Sequence, residues 1–366
     1  MKIAFGIILL FHALIHLLGF LKAFDKMVIR QLQLEISRPL GFLWLLCTLL
    51  FLYVLYLFFL NRAWWPFFAL AAVIISQSLI ILAWQDARFG SIVNLIILLV
   101  SLPALGSFYF QKKTEKEVKE LIQSIDQAEV IVTKEDLQGL PDVVQEWMKN
   151  SGVIGKPRVY FVRLKQEGRM KTKPGGNWMP FTAQQYFNVK DPGFIWTTRV
   201  ESGFPIYLDG RDKLLYGSGE MLIKLLSLFP VVNEKNNSKI DSGTAQRFLA
   251  EISWFPSAAL NKNITWEELE GNAARASLDL FGEKVSGVFK FAEDGELISF
   301  ETQRFYGGDA DSEKETWIIE MLSFDEFSGY NIPNKCKLTW KLPDGDFTWL
   351  ELEVTWVDYN VAETIN

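Results

Sequence analysis

Four apolar runs, Ile3–Phe24, Leu40–Leu60, Trp65–Trp84 and Ser91–Phe110, are separated by very short polar breaks and restrict this chain more than any other feature. Each is about 20 residues long, and at about 1.5 Å rise per residue a helix of that length matches a hydrocarbon core of roughly 30 Å. Inside such a core each backbone amide must bond within its own segment, so the runs read as transmembrane helices. Arg62, Trp64, Trp65, Trp84 and Arg88 stand at the ends, where rings and cations anchor a span at the interface. The first run lacks a small-x-small cleavage site and three more spans follow it, so it does not read as a cleavable signal peptide. Residues 1–110 are therefore expected to form a four-span block whose first partner is the lipid bilayer.

Charge separates this block from the rest. Up to residue 110 there are seven Lys/Arg and three Asp/Glu, net +4, and the remainder carries net −10. A domain this acidic, with no basic run beyond the Lys112–Lys119 cluster, is not expected to bind nucleic acid. Lys22, Lys26, Arg30, Arg38 and Arg88 face Lys2, Arg62 and the Lys112–Lys119 cluster across the membrane, so basic residues nearly balance and leave orientation open. The two cysteines, Cys47 and Cys336, make no disulfide framework.

Beyond the spans, residues 111–130 read as a charged amphipathic helix with Val118, Leu121, Ile122 and Ile125 on one stripe. Residues 111–139 thus form a juxtamembrane helix and linker, the linker proper being 133–139. Pro141 suits the first position of a helix running to Asn150, with Gly152 just past its end. From Val159 the period becomes two. Segments 159–171, 183–190, 194–200, 273–280, 285–291, 296–306, 315–324, 335–342 and 347–358 alternate apolar with polar residues. Turn signals at Pro174-Gly175-Gly176, Asp209-Gly210, Asp294-Gly295 and Asp344-Gly345 separate strands. A helix over Thr244–Leu260 carries Phe248, Leu249, Ile252 and Phe255 at the spacing that covers a sheet. The expected fold is α+β: a four-helix transmembrane block, then a curved antiparallel half-barrel over residues 140–366 with one or two packed helices. The apolar stretch 221–232 is too short to span, and reads either as a buried helix or strand or as a lip over an apolar cavity.

The phrases LPDVVQEWMKNSGVIGKPR (140–158), GGNWMPFTAQQYF (175–187), RFLAEISWFPSAAL (247–260) and IPNKCKLTWKLPDGDFTWLELEVTWVDYN (332–360) together resemble a bacterial domain family of unknown function, often found behind a small membrane block. HALIHLLGFLKAF (12–24) and SQSLIILAWQDARFGSIVN (76–94) resemble the membrane half of such proteins. The resemblance implies a shape similar to the half-barrel of periplasmic lipoprotein carriers and a place in the bacterial cytoplasmic membrane, with the domain outside. It brings no catalytic residues.

Candidate residues come from chemistry. His12 and His16, at i and i+4, share one face of the first span, and ionisable groups inside a membrane default to a functional hypothesis. They are either interhelical hydrogen-bonding groups or weak metal candidates, with Asp86 or Gln77 as the nearest third ligand. Asp86 and Arg88 suit an interfacial ion pair in the turn before span four. Trp178, Phe181, Gln184 and Tyr186, with Leu225 and Phe229, mix rings, apolar chains and amides as the mouth of an apolar pocket does. Trp196, Trp254, Phe255, Trp317, Trp340 and Trp356 read as core. Asp209-Gly210-Arg211-Asp212 reads as a turn or a carboxylate–arginine pair, and Asp309, Asp311 and Glu313 have oxygen-ligand spacing without the rest of a calcium loop.

Outside the spans there is no histidine, which removes Ser-His-Asp and Cys-His catalysis, and no G-x-S-x-G, P-loop, G-x-G-x-x-G or C-x-x-C points to an enzyme or a cofactor. Three functions follow as expectations. One is a membrane-anchored carrier or sensor holding a lipid or a lipoprotein acyl chain. The second is a scaffolding subunit docking a partner membrane protein. The third is a membrane metal or redox protein using His12 and His16.

Overall fold

The computed structural model describes residues 2–26, 33–123, 130–203 and 205–365. Arg30 and Ile125 lie outside the described residues. The chain forms two compact units, Met1–Lys112 and Lys113–Asn366.

Apolar composition makes the first unit helical: α1 (Lys2–Ala23), α2 (Arg38–Phe59), α3 (Trp65–Leu82), the short α4 (Trp84–Ala87) and α5 (Gly90–Gln123). α1, α2, α3 and α5 are long and apolar enough to cross a membrane. Ile3, Phe11, Leu49, Ile74 and Leu99 face outward, which suits lipid and would be a liability in water. Close approach between helices rests on small residues. A Cβ at Gly19 would lie 2.4 Å from the Trp44 ring, so only glycine lets α1 seat against that indole. The fourth span and the expected juxtamembrane helix are one continuous helix, with Pro103 inside it.

In the second unit, the segment 133–139 read as a linker is packed against the core. Ile131 bridges Pro157, Glu135–Leu137 make a 3-10 turn, and Val132 and Leu137 are buried in the core. Apolar side chains at 132 and 137 bring the segment in. α6 (Asp142–Asn150) follows Pro141 and buries Val144, Trp147 and Met148.

The sheet then runs β1 (Phe161–Met170), β2 (Met179–Asn188), β3 (Gly193–Glu201), β4 (Tyr207–Leu215), β5 (Ser218–Leu225) and β6 (Phe229–Glu234). After α7 (Ser238–Glu251) and 3-10 turns at Ile252–Trp254 and Pro256–Leu260 come β7 (Ile264–Leu269), β8 (Ala273–Leu280), β9 (Glu283–Phe291), β10 (Leu297–Phe305), β11 (Lys314–Phe327), β12 (Tyr330–Leu342) and β13 (Gly345–Tyr359). Among the described residues the 13 strands form one sheet in the order β6-β5-β4-β3-β2-β1-β13-β12-β11-β10-β9-β8-β7. Each neighbour pair is antiparallel, and pairing of β1 with β13 joins the first and last strands.

The turn expected at Asp209-Gly210 is instead the middle of β4, with Gly210 opposite Thr198. A Cβ at Gly210 would lie 2.9 Å from Thr198 Cγ2, so this glycine serves a close cross-strand approach and not a turn. The stretch 221–232 is the β5–β6 hairpin at the sheet's edge.

α7 contacts β4 and β5 on one side and β8, β9 and β10 on the other, so the sheet curls around it. Its capping residue is Asn237, whose side-chain oxygen accepts from the Lys239 amide. Phe248, Leu249, Ile252 and Phe255 are fully buried, with Phe187 at 4.7 Å from the Phe255 ring. Helix α7 thus lies on an inner face of the sheet. On the outer face, Val118 and Leu121 of α5 pack with Phe161, Tyr186, Ile195 and Leu215.

Candidate functional site

Alternation along the strands lines the inner face with apolar side chains beyond α7. Phe181, Trp196, Trp317, Leu338, Trp340 and Phe347 form a floor, each less than a tenth exposed. The same face continues through the half-buried Met179, Leu208, Met221, Ile223, Leu225 and Met321, placed there by their register opposite Met170, Val200, Asp212, Gly210, Leu208 and Cys336. It ends at a rim where Ile206, Phe229 and Val231 are 47 to 61% exposed. Flexible methionine side chains on such a face adapt to varied apolar shapes.

One stripe of α7 is polar. Gly243, Arg247 and Glu251 recur at i, i+4 and i+8 and so share a helix face. Arg247 bridges two carboxylates, Asp212 Oδ2 at 2.8 Å and Glu251 Oε1 at 2.7 Å, and stacks 4.7 Å over Trp196. Gln185 Nε2 donates to the other oxygen of Glu251 at 2.7 Å. Burial raises both Asp212 and Glu251 above the usual carboxylate range, against the lowering effect of Arg247. Arg304 of β10 lies 4.5 Å over Trp317 and 5.8 Å from Trp340. Burial and the neighbouring Arg247 charge lower its pKa to about 10, so it remains a cation at neutral pH.

Several polar atoms on this inner face are unmatched among the described residues. Gln166 Nε2, Gln185 Oε1, Gln246 Oε1 and Trp317 Nε1 are buried without a hydrogen-bond partner. The half-buried Arg304 guanidinium stacks on two rings, interacts electrostatically with Asp212, Glu251 and Arg247, and makes no hydrogen bond among the described residues. Buried polar groups are nearly always bonded, so these atoms call for partners, as do Arg211 Nε and Nη1 and Glu117 Oε2 on the outer face.

The outer face carries a second cluster. Arg211, 1% exposed, reaches Glu220 Oε2 at 2.8 Å and Glu117 Oε2 at 3.2 Å, and Lys213 reaches both glutamates. The Arg211 Nε–Glu117 contact is within ion-pair distance but not aligned as a hydrogen bond, so it is coulombic. Arg199 pairs with Asp209, which also accepts from Ser227 at 2.5 Å.

The sheet divides the residues singled out from sequence. Phe181, Leu225 and Phe229 belong to the inner face and its rim. Gln184 and Tyr186 point to the outer face, Tyr186 packing with Phe161 and Leu121. Trp178 lies beneath the cations of Arg169 and Lys171. Asp209 and Arg211 share the outer face while Asp212 points inward, so strand alternation splits that run between the two clusters. Trp356, expected in the core, is half-buried with Arg163 and Lys165 over its ring. Backbone carbonyls of Asp309, Ala310 and Ser312 accept from Lys239 Nζ at 2.7 to 2.9 Å, so an ammonium occupies the loop that spacing suggested for calcium. Nothing local in the sequence marks Arg247, Glu251 or Arg304. The i, i+4, i+8 stripe of α7 was the available signal.

In the membrane unit His12 and His16 are buried and hydrogen-bonded across helices. His16 Nδ1 donates to the His12 carbonyl at 2.8 Å, which leaves His16 Nε2 to accept from Ser76 Oγ at 2.8 Å. His12 Nε2 donates to Asn94 Oδ1 at 2.9 Å, Asn94 Nδ2 to Gln77 Oε1 at 3.0 Å, and Gln77 Nε2 to Ser91 Oγ at 3.0 Å. Three of the four ring nitrogens are so engaged, His12 Nδ1 being buried without a partner, and among the described residues no group of three His, Cys, Asp or Glu could hold a metal. Asp86 accepts from the Leu34 amide and Arg88 lies over the Phe89 ring, in place of the expected ion pair.

Residues 130–352 match the model of a family of unknown function, DUF6544. No curated protein matches the sequence. Among solved structures, a LolA superfamily protein from Nitrosomonas europaea is similar at 9% identity and a TM-score of 0.34, over 64% of this chain and 96% of that one. A domain named for outer membrane lipoprotein sorting, from Vibrio parahaemolyticus, is similar at 10% identity and a TM-score of 0.33, over 61% and 93%. A DUF1329 family protein from Desulfovibrio piger is similar at 9% identity and a TM-score of 0.30, over 61% and 92%.

Proposed function

Since the chain belongs to the DUF6544 family of unknown function, we propose from the geometry of its β-unit that it is a membrane-anchored carrier or sensor, binding an acyl chain of a lipid or lipoprotein on the inner face. The observation that carries this reading is the apolar part of the inner face, which beside the Arg247 cluster grades from a closed aromatic floor at Trp340 through the half-buried Met179 and Met321 to the exposed rim at Phe229. Apolar surface that continues outward from a core in this way is favourable to cover, at roughly 25 cal/mol per Å². The test is photo-crosslinking of the full chain in nanodiscs with a diazirine-bearing acyl probe. Label is expected on peptides containing Met179, Met321 or Trp340, and Leu225→Asp should remove most of it while the protein stays folded. Label confined to the membrane helices, or unchanged in folded Leu225→Asp, would overturn the reading.

A second reading, a scaffolding subunit that docks a partner protein, has its own support. β6 is an edge strand with Phe229, Pro230 and Val231 exposed, and such an edge can pair with another chain, although Pro230 blunts it. A photoreactive residue at position 229 separates the two: a protein adduct favours docking and a lipid adduct favours the carrier.

We further propose that the β-unit lies on the extracytoplasmic side of the bacterial cytoplasmic membrane. Both native cysteines are buried, so a cysteine placed at the exposed Asp344 should react with an impermeant maleimide in cells whose outer membrane alone is permeabilised. Labelling only after lysis would put the unit in the cytoplasm.

A further inference from the structure

We infer that the polar group of the bound chain is uncharged, an ester or hydroxyl-bearing head such as a glyceryl ester, and that Arg304 anchors it. The inference rests on the acyl-binding reading above and specifies the ligand class at that site.

Charge decides against a fatty-acid carboxylate or phosphate. The inner cluster holds two carboxylates, Asp212 and Glu251, and two guanidinium groups, Arg247 and Arg304. Arg247 is already committed to both acids, so Arg304 offsets the charge that remains. An added anion would leave the cluster with one unbalanced negative charge in a desolvated place, where unpaired charge is costly.

Hydrogen bonding points the same way. Buried unmatched donors are Gln166 Nε2 and Trp317 Nε1, buried unmatched acceptors are Gln185 Oε1 and Gln246 Oε1, and the half-buried Arg304 guanidinium makes no hydrogen bond among the described residues. An anion brings acceptors only. An ester with a free hydroxyl brings carbonyl oxygens for Arg304 and Trp317 and an O–H for a glutamine oxygen, so both kinds of group are answered. Arg304 reaches this position because the α7 stripe has glycine opposite it: a Cβ at Gly243 would lie 3.1 Å from Arg304 Nε.

The experiment is competition for the acyl photo-probe on the full chain in nanodiscs, using monopalmitoylglycerol, palmitate and hexadecane. Monopalmitoylglycerol is expected to compete about tenfold to a hundredfold better than hexadecane, the range for a hydrogen bond to a charged group, and better than palmitate. Arg304→Met should bring monopalmitoylglycerol down to the level of hexadecane. Arg304→Gln, which keeps donors without charge, should retain part of the preference and guards against a variant that merely unfolds. Palmitate competing best would overturn the neutral head group. Equal competition by all three, unchanged in both variants, would overturn the anchor and leave the apolar site standing. Failure of all three, with no labelled β-unit, would sink the acyl-binding reading itself.

Discussion

The two faces of the β-sheet solve the same problem, a buried arginine beside carboxylates, in opposite ways. On the outer face Arg211 is clamped between Glu117 and Glu220, with Lys213 alongside. For Glu220 desolvation is the largest single influence, yet the hydrogen bonds and charges of Lys213 and Arg211 together outweigh it and hold the carboxyl below its ordinary range. On the inner face desolvation wins, and Asp212 and Glu251 stay above theirs. The outer cluster is therefore a structural clamp. The inner one stays under electrostatic load, while both clusters hold buried polar atoms without hydrogen-bond partners among the described residues.

The largest test of this contrast is Arg211→Ala. It leaves Glu117 and Glu220 with Lys213 as their remaining ion-pair partner among the described residues and should cost about 3 kcal/mol, read by denaturant unfolding of the detergent-solubilised chain. A loss near zero would mean that water reaches the outer cluster and that the faces do not differ. A smaller loss, about 1–2 kcal/mol, is expected for Glu251→Gln, because Arg247 keeps Asp212.

The smallest effect is in pH. Glu220, with its folded-state pKa lowered, adds stability above the ordinary glutamate range that is lost as pH falls through the folded value, so Glu220→Gln should flatten the acid limb of a stability curve. Asp212 and Glu251, with theirs raised, contribute fully below the ordinary range and progressively less as pH rises through it. Glu251→Gln should flatten that opposite slope. Slopes of the same sign in both variants would break the comparison.

Reading the chain locally went furthest where physics is local. Apolar runs of membrane length became α1, α2, α3 and α5, since a bilayer leaves no alternative to a helix. Nine strands with clean alternation were legible, because a half-buried sheet needs period two. β4, β5, β6 and β7 were not. β4 carries charges on both faces, Arg211 and Asp212 at adjacent positions, so its alternation is hidden until α7 supplies an inner partner and α5 an outer one.

Site residues divide the same way. His12 and His16 announced themselves by position, but their roles depend on Ser76 and Asn94, which come from other helices. Phe181, Leu225 and Phe229 fell on the inner face and Gln184 and Tyr186 on the outer, because adjacent parity in a strand, not nearness in sequence, sends side chains to one face. Membrane block, antiparallel sheet and the α7 segment followed from the order of residues, through period, length and turn chemistry. Pairing of β1 with β13, the seating of α7 within the curl, and the meeting of Arg247, Asp212, Glu251 and Arg304 were decided only by folding. Those contacts join residues far apart in the chain, and their electrostatics exist only once water has been removed from around them.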